Sequence, residues 1–195
     1  VRIGETPGLG FNLDARNIPG DAIARLYGAA PDFQIGTIQA RANVVGSPTQ
    51  PQTIVNWQTA NATYPARGQI LIANAQNLLF RNTTVDFAGG TLRAAGQLTN
   101  NQWQATVQAS GIELERVTEV PPALQAPISG TFNVAGSTAS FQPNQIQATG
   151  SGRLNVAGGT VTASNIQLAQ GRWQAQVNAS QVELARFSEQ LQGQL

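Results

Sequence analysis

Residues 173–180 read WQAQVNAS, and apolar and polar side chains alternate along this whole stretch. In an extended chain Trp173 and Val177 lie on one side, and Gln174 and Asn178 lie on the other. A period of two is typical of a β-strand with one apolar face and one face in water. This stretch therefore predicts half-buried strands, and the rest of the sequence tells whether they recur.

The same pattern occurs 70 residues earlier, where residues 103–110 read WQATVQAS. The longer blocks 101–119 and 171–189 align at this single offset, with Trp, Ala, Glu and Arg in matching positions. Self-similarity of this kind indicates a chain built from internal repeats. We predict one elongated repeat domain over residues 1–195. Its approximate units are 1–80, 81–150 and a partial unit at 151–195.

Turn signals separate the predicted strands. They are Gly-Gly at 89–90 and 158–159, Asn-Asn at 100–101 and Gln-Gly at 170–171. Short turns of these residues join antiparallel neighbours. We expect strands of about 6 to 9 residues, and short helices near 21–27 and 183–192, where the alternation stops. The predicted fold class is all-β: an elongated antiparallel repeat sheet, curved into a half-pipe with an apolar interior and only short helices.

The composition excludes most catalytic chemistry. The 195 residues contain no His, Cys, Met or Lys, and the net charge is +1. Imidazole bases, thiol nucleophiles and ordinary zinc sites are therefore absent, and the charge is too small to favour nucleic acid. Glu113 and Glu183 are repeat equivalents, which favours a structural role over a catalytic one. We expect no enzymatic activity, no catalytic residues, no cofactor, no metal site and no nucleic-acid partner.

The apolar side of the predicted strands is the candidate functional surface. It is rich in Ala, and such small side chains leave space between sheets packed about 10 Å apart. The tryptophans either fill a closed core or line an open groove for apolar ligands, and the pattern alone leaves both open. The residues predicted to line the groove are Trp57, Trp103, Ala105, Val107, Phe132, Val134, Leu154, Val156, Trp173, Ala175 and Val177.

Residues 109–137, 151–180 and 179–187 resemble the TamB family of AsmA-like translocation and assembly proteins, most closely its cyanobacterial and chloroplast members. The resemblance covers most of the chain and is strongest from about residue 80 onward. It implies a half-pipe of β-sheet, called a β-taco, with a hydrophobic interior and no catalytic residues. It also implies a periplasmic location, or the chloroplast intermembrane space, and an Omp85-type outer-membrane barrel as partner. The chain would be an internal or C-terminal segment of a much larger protein anchored in the inner membrane outside this segment.

Three functions remain open at this point. The leading hypothesis is a segment of a periplasm-spanning bridge whose hydrophobic groove carries phospholipid acyl chains between inner and outer membranes and supports outer-membrane biogenesis. The first alternative is a chaperone or scaffold for β-barrel assembly that binds unfolded outer-membrane protein strands, together with the Omp85-type partner. The second alternative is a structural β-repeat stalk, which predicts a closed core.

Overall fold

The computed structural model describes residues 9–26, 33–47, 50–74, 77–117, 119, 125–137, 146–156 and 158–183. The strands are β1 (Leu9–Pro19), β2 (Thr37–Ser47), β3 (Gln50–Ala60), β4 (Ala66–Asn74), β5 (Asn77–Phe87), β6 (Gly90–Thr99), β7 (Gln102–Ile112), β8 (Ile128–Ser137), β9 (Gln147–Val156), β10 (Gly159–Ala169) and β11 (Arg172–Ser180). Helix α1 (Gly20–Leu26) follows β1, and a 3₁₀ turn at Leu114–Arg116 follows β7. The strands form one antiparallel sheet whose spatial order is the chain order. The predicted all-β class with short helices is confirmed.

The strands are longer than the sequence predicts. They run for 9 to 11 residues rather than about 6 to 9. Two strands, β1 and β10, contain an extra residue at which the pairing register shifts, and the alternation of apolar and polar residues changes phase there. In β1 the register shifts between Ala15 and Ile18, where Asn17 has φ 57°. In β10 it shifts between Ser164 and Gln167, where Asn165 has φ 52°. These are β-bulges, and Asn tolerates the left-handed conformation that they need.

Two of the four predicted two-residue turns are present at the predicted residues. Asn100 and Asn101 both have positive φ, at 50° and 64°, and they join β6 to β7. Gln170 and Gly171, at 53° and 71°, join β10 to β11 in the same way. Positive φ at both central residues is the hairpin geometry that matches strand twist.

In each of these hairpins, the first residue of the first strand is a glycine that lies close to the backbone at the end of the second strand. A Cβ on Gly90 would overlap the backbone of Ser110 and Gly111, and a Cβ on Gly159 would overlap that of Ser180 and Gln181. Gly111 and Gln181 are themselves equivalent at the offset of 70, and both have positive φ, at 67° and 58°. Strand β6 begins at Gly90, and the turn before it consists of Ala88 and Gly89, which both have positive φ. This moves the turn one residue from its predicted place at 89–90.

Helix α1 confirms the short helix predicted near residues 21–27. The Asp21 carboxylate accepts hydrogen bonds from the backbone N–H groups of Ile35 (2.8 Å) and Gly36 (3.1 Å). Gly20 is buried because its N–H donates to the Gly36 carbonyl at 2.9 Å, leaving no room for a side chain beside Ile35. These contacts fix the helix beside the start of β2. Of the second predicted helix only Glu183 is described, and residues 184–192 lie outside the described residues.

The chain divides into two compact units, which are described separately. Unit 1 contains residues 1–84 and 94–103, and unit 2 contains residues 85–93 and 104–195. Within the described residues, the hydrophobic side chains that are buried are Val44 in unit 1 and Ile112 and Val182 in unit 2. The predicted boundaries at residues 80 and 150 stay a prediction.

A candidate apolar binding face

The strand register places the apolar side chains of unit 2 on one side of its strands. Across β8 and β9, Phe132 lies opposite Gly150, and Val134 lies opposite Ala148. Opposite residues in an antiparallel pair point to the same face. Strand β9 pairs with β10, and β10 pairs with β11, so alternate residues of these two strands lie on the same face. We call the following set the unit 2 apolar face: Phe132, Val134, Leu154, Val161, Ala163, Ile166, Leu168, Trp173, Ala175 and Val177.

Two rows of partners connect this face across the strands. Leu168 of β10 lies opposite both Ala148 and Trp173. Ala163 lies opposite both Gly152 and Val177. Trp173 and Val177 therefore share a face with Val134 and Phe132 on strand β8, as the alternation in the sequence predicts.

Strand β7 joins the same face through its alternate residues. The Thr106 hydroxyl donates to the Asn133 side-chain oxygen at 2.8 Å, so these two polar side chains share the opposite face. Ala105 and Val107 flank Thr106, are half-buried, and lie on the side of Phe132. Trp103 continues the alternation of β7 and is half-buried, within unit 1. Val156 ends β9, and its side chain lies outside the described residues.

The unit 2 apolar face is open. Trp173 is 76% exposed and Val177 is 61% exposed. The other members are half-buried, and among the described residues none of them reaches the burial of a core residue. A closed core would bury most of these side chains. Among the described residues, this apolar face therefore lacks the burial of a closed core.

The β10 bulge aligns side chains that simple alternation would separate. Ala163 and Ile166 are three residues apart, yet they lie opposite Gly152 and Gly150, two residues apart on β9. Ser164 and Asn165 together face a single residue of β9. Sequence reasoning omitted Ile166 from the apolar face, and the available signal was Asn165 at the point where the alternation flips.

Aromatic rings on both units lie beside strand glycines. A Cβ on Gly150 would lie 2.5 Å from Cδ1 of Phe132, so the ring occupies the space above this glycine. In unit 1 Trp57 lies opposite Gly68, and a Cβ there would lie 3.1 Å from Cζ2 of the indole. Aromatic–glycine pairs of this kind pin the register of a sheet.

Unit 1 has an apolar face of its own. Trp57 lies opposite Ala40 of β2, which in turn lies opposite Ala15 of β1. One row away, Val55 pairs with Ala42, which pairs with the 55% exposed Leu13. Further members of this face are Phe11, Val44, Thr53, Ile70 and Ile72. Trp57 is half-buried, and its indole N–H and the Thr83 hydroxyl are both buried without a hydrogen-bond partner.

Side-chain amide pairs join neighbouring strands on the polar faces, in addition to the Asp14–Arg41 ion pair between β1 and β2. In unit 1, Gln58 donates to Gln39 at 3.0 Å and Gln69 donates to Asn56 at 3.1 Å. In unit 2, Gln174 donates to Gln167 at 2.8 Å. The members of each pair are cross-strand partners, so the amides of this sequence of 23 Gln and 15 Asn can bond across strands. The apolar pair Ile54 and Leu71 is an exception on the polar side of unit 1.

The polar faces also contain depressions that sequence reasoning missed. One of about 730 Å³ lies in unit 2 among hydroxyl side chains such as Thr131 and Ser151, with Arg93 and Arg153 at its sides. A second, of about 560 Å³, lies in unit 1 beside the exposed Asp14–Arg41 ion pair. Hydroxyl and guanidinium groups can hydrogen-bond water or anions. In the sequence, these depressions are indicated only by the polar residues that alternate with the apolar ones along these strands.

Within the described ranges, no cluster of three or more Asp and Glu side chains is arranged to hold a metal ion. No helix among these residues is long and apolar enough to cross a membrane. Comparisons with protein-family models, with curated proteins and with solved structures each found no match.

Proposed function

We propose that this chain is a segment of a periplasm-spanning bridge that carries phospholipid between the inner and outer membranes along an apolar groove. The observation that supports the proposal most is the open apolar face of unit 2. Its members on β8, β9 and β10 are half-buried rather than buried, and Trp173 and Val177 on the edge strand β11 are 76% and 61% exposed. Large exposed apolar surfaces on a folded chain mark sites that bind an apolar partner.

The chemistry of this face suits acyl chains. Its members are aliphatic or aromatic, and none of them carries a charge or a hydrogen-bonding side chain other than the Trp173 indole. A saturated chain needs no polar partner, and removing apolar surface from water stabilises contact by about 25 cal/mol per Å². Ala163 and Ala175 add only shallow contacts. Weak contacts repeated along a face favour sliding over tight binding at one point.

The polar side supports the same proposal because its amide side chains already hydrogen-bond to each other in the absence of a ligand. Amide pairs such as Gln174 with Gln167 bond to each other across strands. A lipid tail gains nothing by displacing these bonds, since a buried unpaired amide is unfavourable. The two faces of one sheet therefore differ sharply in their affinity for a lipid tail.

The cellular setting is part of the proposal and comes from the resemblance to TamB-type proteins. On this view the segment lies in the periplasm, or in the chloroplast intermembrane space, and belongs to a larger protein anchored in the inner membrane. An Omp85-type outer-membrane barrel is the proposed protein partner. The half-pipe curvature and the continuity of the groove along the chain also belong to this proposal.

Photo-crosslinking with a phospholipid that carries a diazirine in its acyl chain tests the proposal. Purified chain is loaded with this lipid, irradiated and digested, and the labelled residues are located by mass spectrometry. We expect label on Val177 and Leu154 and none on Gln174 or Gln176. Val177→Asp should lower the yield by about tenfold, because a carboxylate repels an acyl chain.

Asn178→Asp is the matched control. It places the same charge one residue away on the polar face, and it should leave the yield within about twofold. Equal losses in both variants, or label spread over both faces, would contradict the proposal. Displacement of the lipid label by unfolded outer-membrane barrel strands would instead favour the chaperone hypothesis.

A further inference from the structure

Strands β7 and β11 are structural equivalents within one molecule. Each follows a two-residue turn of positive φ, and each leads to a positive-φ residue, Gly111 or Gln181. The next residue is then buried in both copies: Ile112 is 7% exposed and Val182 is 2% exposed. The two strands therefore have the same local environment on the side of their hairpin partners β6 and β10.

The two strands differ on their other side. Strand β7 has β8 beyond it in the sheet order. Their side chains are linked by the bond from Thr106 to Asn133 at 2.8 Å, and the Gly111 N–H donates to the Ser129 hydroxyl at 3.4 Å. Strand β11 is the last in the sheet order. In the part of the chain that the structure describes, it pairs with β10 alone.

The exposure of equivalent residues records this difference. Val107 and Ala109 of β7 are half-buried, whereas Val177 and Ala179 of β11 are exposed. The residue types are identical at the offset of 70. Among the described residues, the surface that is half-buried in the first copy and exposed in the second is therefore the surface next to a β8 strand.

The free edge of β11 also lacks the devices that protect sheet edges. Natural edge strands use Pro, Lys, inward-pointing charges or bulges to prevent pairing with another chain. Strand β11, RWQAQVNAS, has no Pro, no Lys and no charged residue after Arg172. The bulge in this strand pair lies on β10, and β11 pairs with β10 over residues 172–174 and 176–180.

We propose that the free edge of β11 is a docking site for an antiparallel strand of the β8 type, supplied by a further unit of this repeat. The β8 pattern is ISGTFNV at residues 128–134. Main-chain hydrogen bonds join the two edges, as in other strand additions. The phenyl and valyl side chains of the incoming strand cover the apolar side of β11 near Val177. Gln176, the equivalent of Thr106, meets the incoming asparagine on the polar side.

Binding of a labelled peptide to the complete 195-residue chain tests the proposal in the absence of lipid. The peptide spans residues 127–137, and fluorescence anisotropy measures its affinity. Two N-methylated peptides carry methyl groups on alternate residues, in the two possible phases. Because alternate N–H groups of a strand point to opposite sides, one phase should abolish binding and the other should leave it within about threefold.

Side-chain recognition is tested with matched protein variants. Val177→Gln should weaken binding by about tenfold or more, because it places an amide where the incoming apolar side chains pack. Asn178→Gln places the same amide on the polar face and should change affinity by less than about threefold. Both variants are checked for strand content by circular dichroism, so a loss of binding is assigned only to folded protein.

Three results would overturn the proposal. The first is no binding by the folded chain at millimolar peptide. The second is equal binding of both N-methylated peptides, which would indicate nonspecific apolar adhesion. The third is a chain that self-associates through β11 in sedimentation experiments and stays associated when the peptide is added, because a second copy would then be the true occupant. Dissociation of such a species by the peptide would support the proposal.

Discussion

Replacing Val177 by Asp separates an open apolar face from a sealed core. A fully buried Val contributes roughly 2 kcal/mol to the free energy of unfolding. Val177 is 61% exposed, so only about two fifths of this burial is lost, or about 0.8 kcal/mol. The lower strand propensity of Asp adds up to about 1 kcal/mol. Because water still reaches position 177, the carboxylate stays hydrated, and we expect Val177→Asp to cost about 1 to 2 kcal/mol in total.

Val182→Asp is the matched control in the same unit. Val182 is 2% exposed, so the substitution loses the full apolar burial and places a carboxylate in a site without water. We expect a loss of about 5 kcal/mol or more, comparable to the whole stability of a small domain.

Urea denaturation, followed by circular dichroism and tryptophan fluorescence, measures both variants. Val177→Asp should show a cooperative transition at a moderately lower urea midpoint, with native strand content before it. Val182→Asp should be largely unfolded without urea. If Val177→Asp also fails to fold, position 177 lies in a closed core, and the structural-stalk hypothesis gains over the lipid bridge.

Three further predictions concern stability. Gly150→Ala should lower the free energy of unfolding by about 2 kcal/mol, because its Cβ would lie 2.5 Å from the Phe132 ring. Gly152→Ala should change the free energy of unfolding by less than about 0.5 kcal/mol, because the nearest atom to its Cβ would lie 3.7 Å away. Asn165→Val should cost about 1 to 2 kcal/mol more than Asn165→Gly, since φ is 52° and both variants lose the 2.7 Å bond to Gln176; comparison of urea midpoints checks this. Arg41→Gln should cost under about 0.5 kcal/mol at any salt concentration, because both members of its ion pair with Asp14 are more than half exposed; thermal unfolding at low and high salt measures it.

The fold class was predictable because the informative pattern is local. The alternation in WQAQVNAS and WQATVQAS fixes strands with one apolar face, and Asn100–Asn101 and Gln170–Gly171 mark the turns. The shared face of Trp173 and Val177 also follows from alternation within β11 and agrees with the strand register. These features depend on neighbours in the sequence or on a single hairpin.

Other features depend on which strand lies next to which. Val107 and Val177 occupy the same place in the same local sequence, yet they differ in exposure because β8 lies beyond β7. The bulge at Asn165 adds one residue, and the hydrophobic pattern alone does not tell an added residue from the end of a strand. The depression beside Arg153 depends on how several strands twist together, which pairwise sequence patterns do not specify.

Quenching of tryptophan fluorescence by a phospholipid brominated on its acyl chains tests the central claim most directly. With Trp57→Phe and Trp103→Phe in place, Trp173 is the sole tryptophan, and it reports from the apolar face. A control protein carries Trp173→Phe as well and Gln176→Trp, which moves the sole indole to the polar face. The lipid-bridge proposal predicts strong, saturable quenching of Trp173 and weak quenching of the control. Equal quenching of both proteins, or none of Trp173 at saturating lipid, would contradict it.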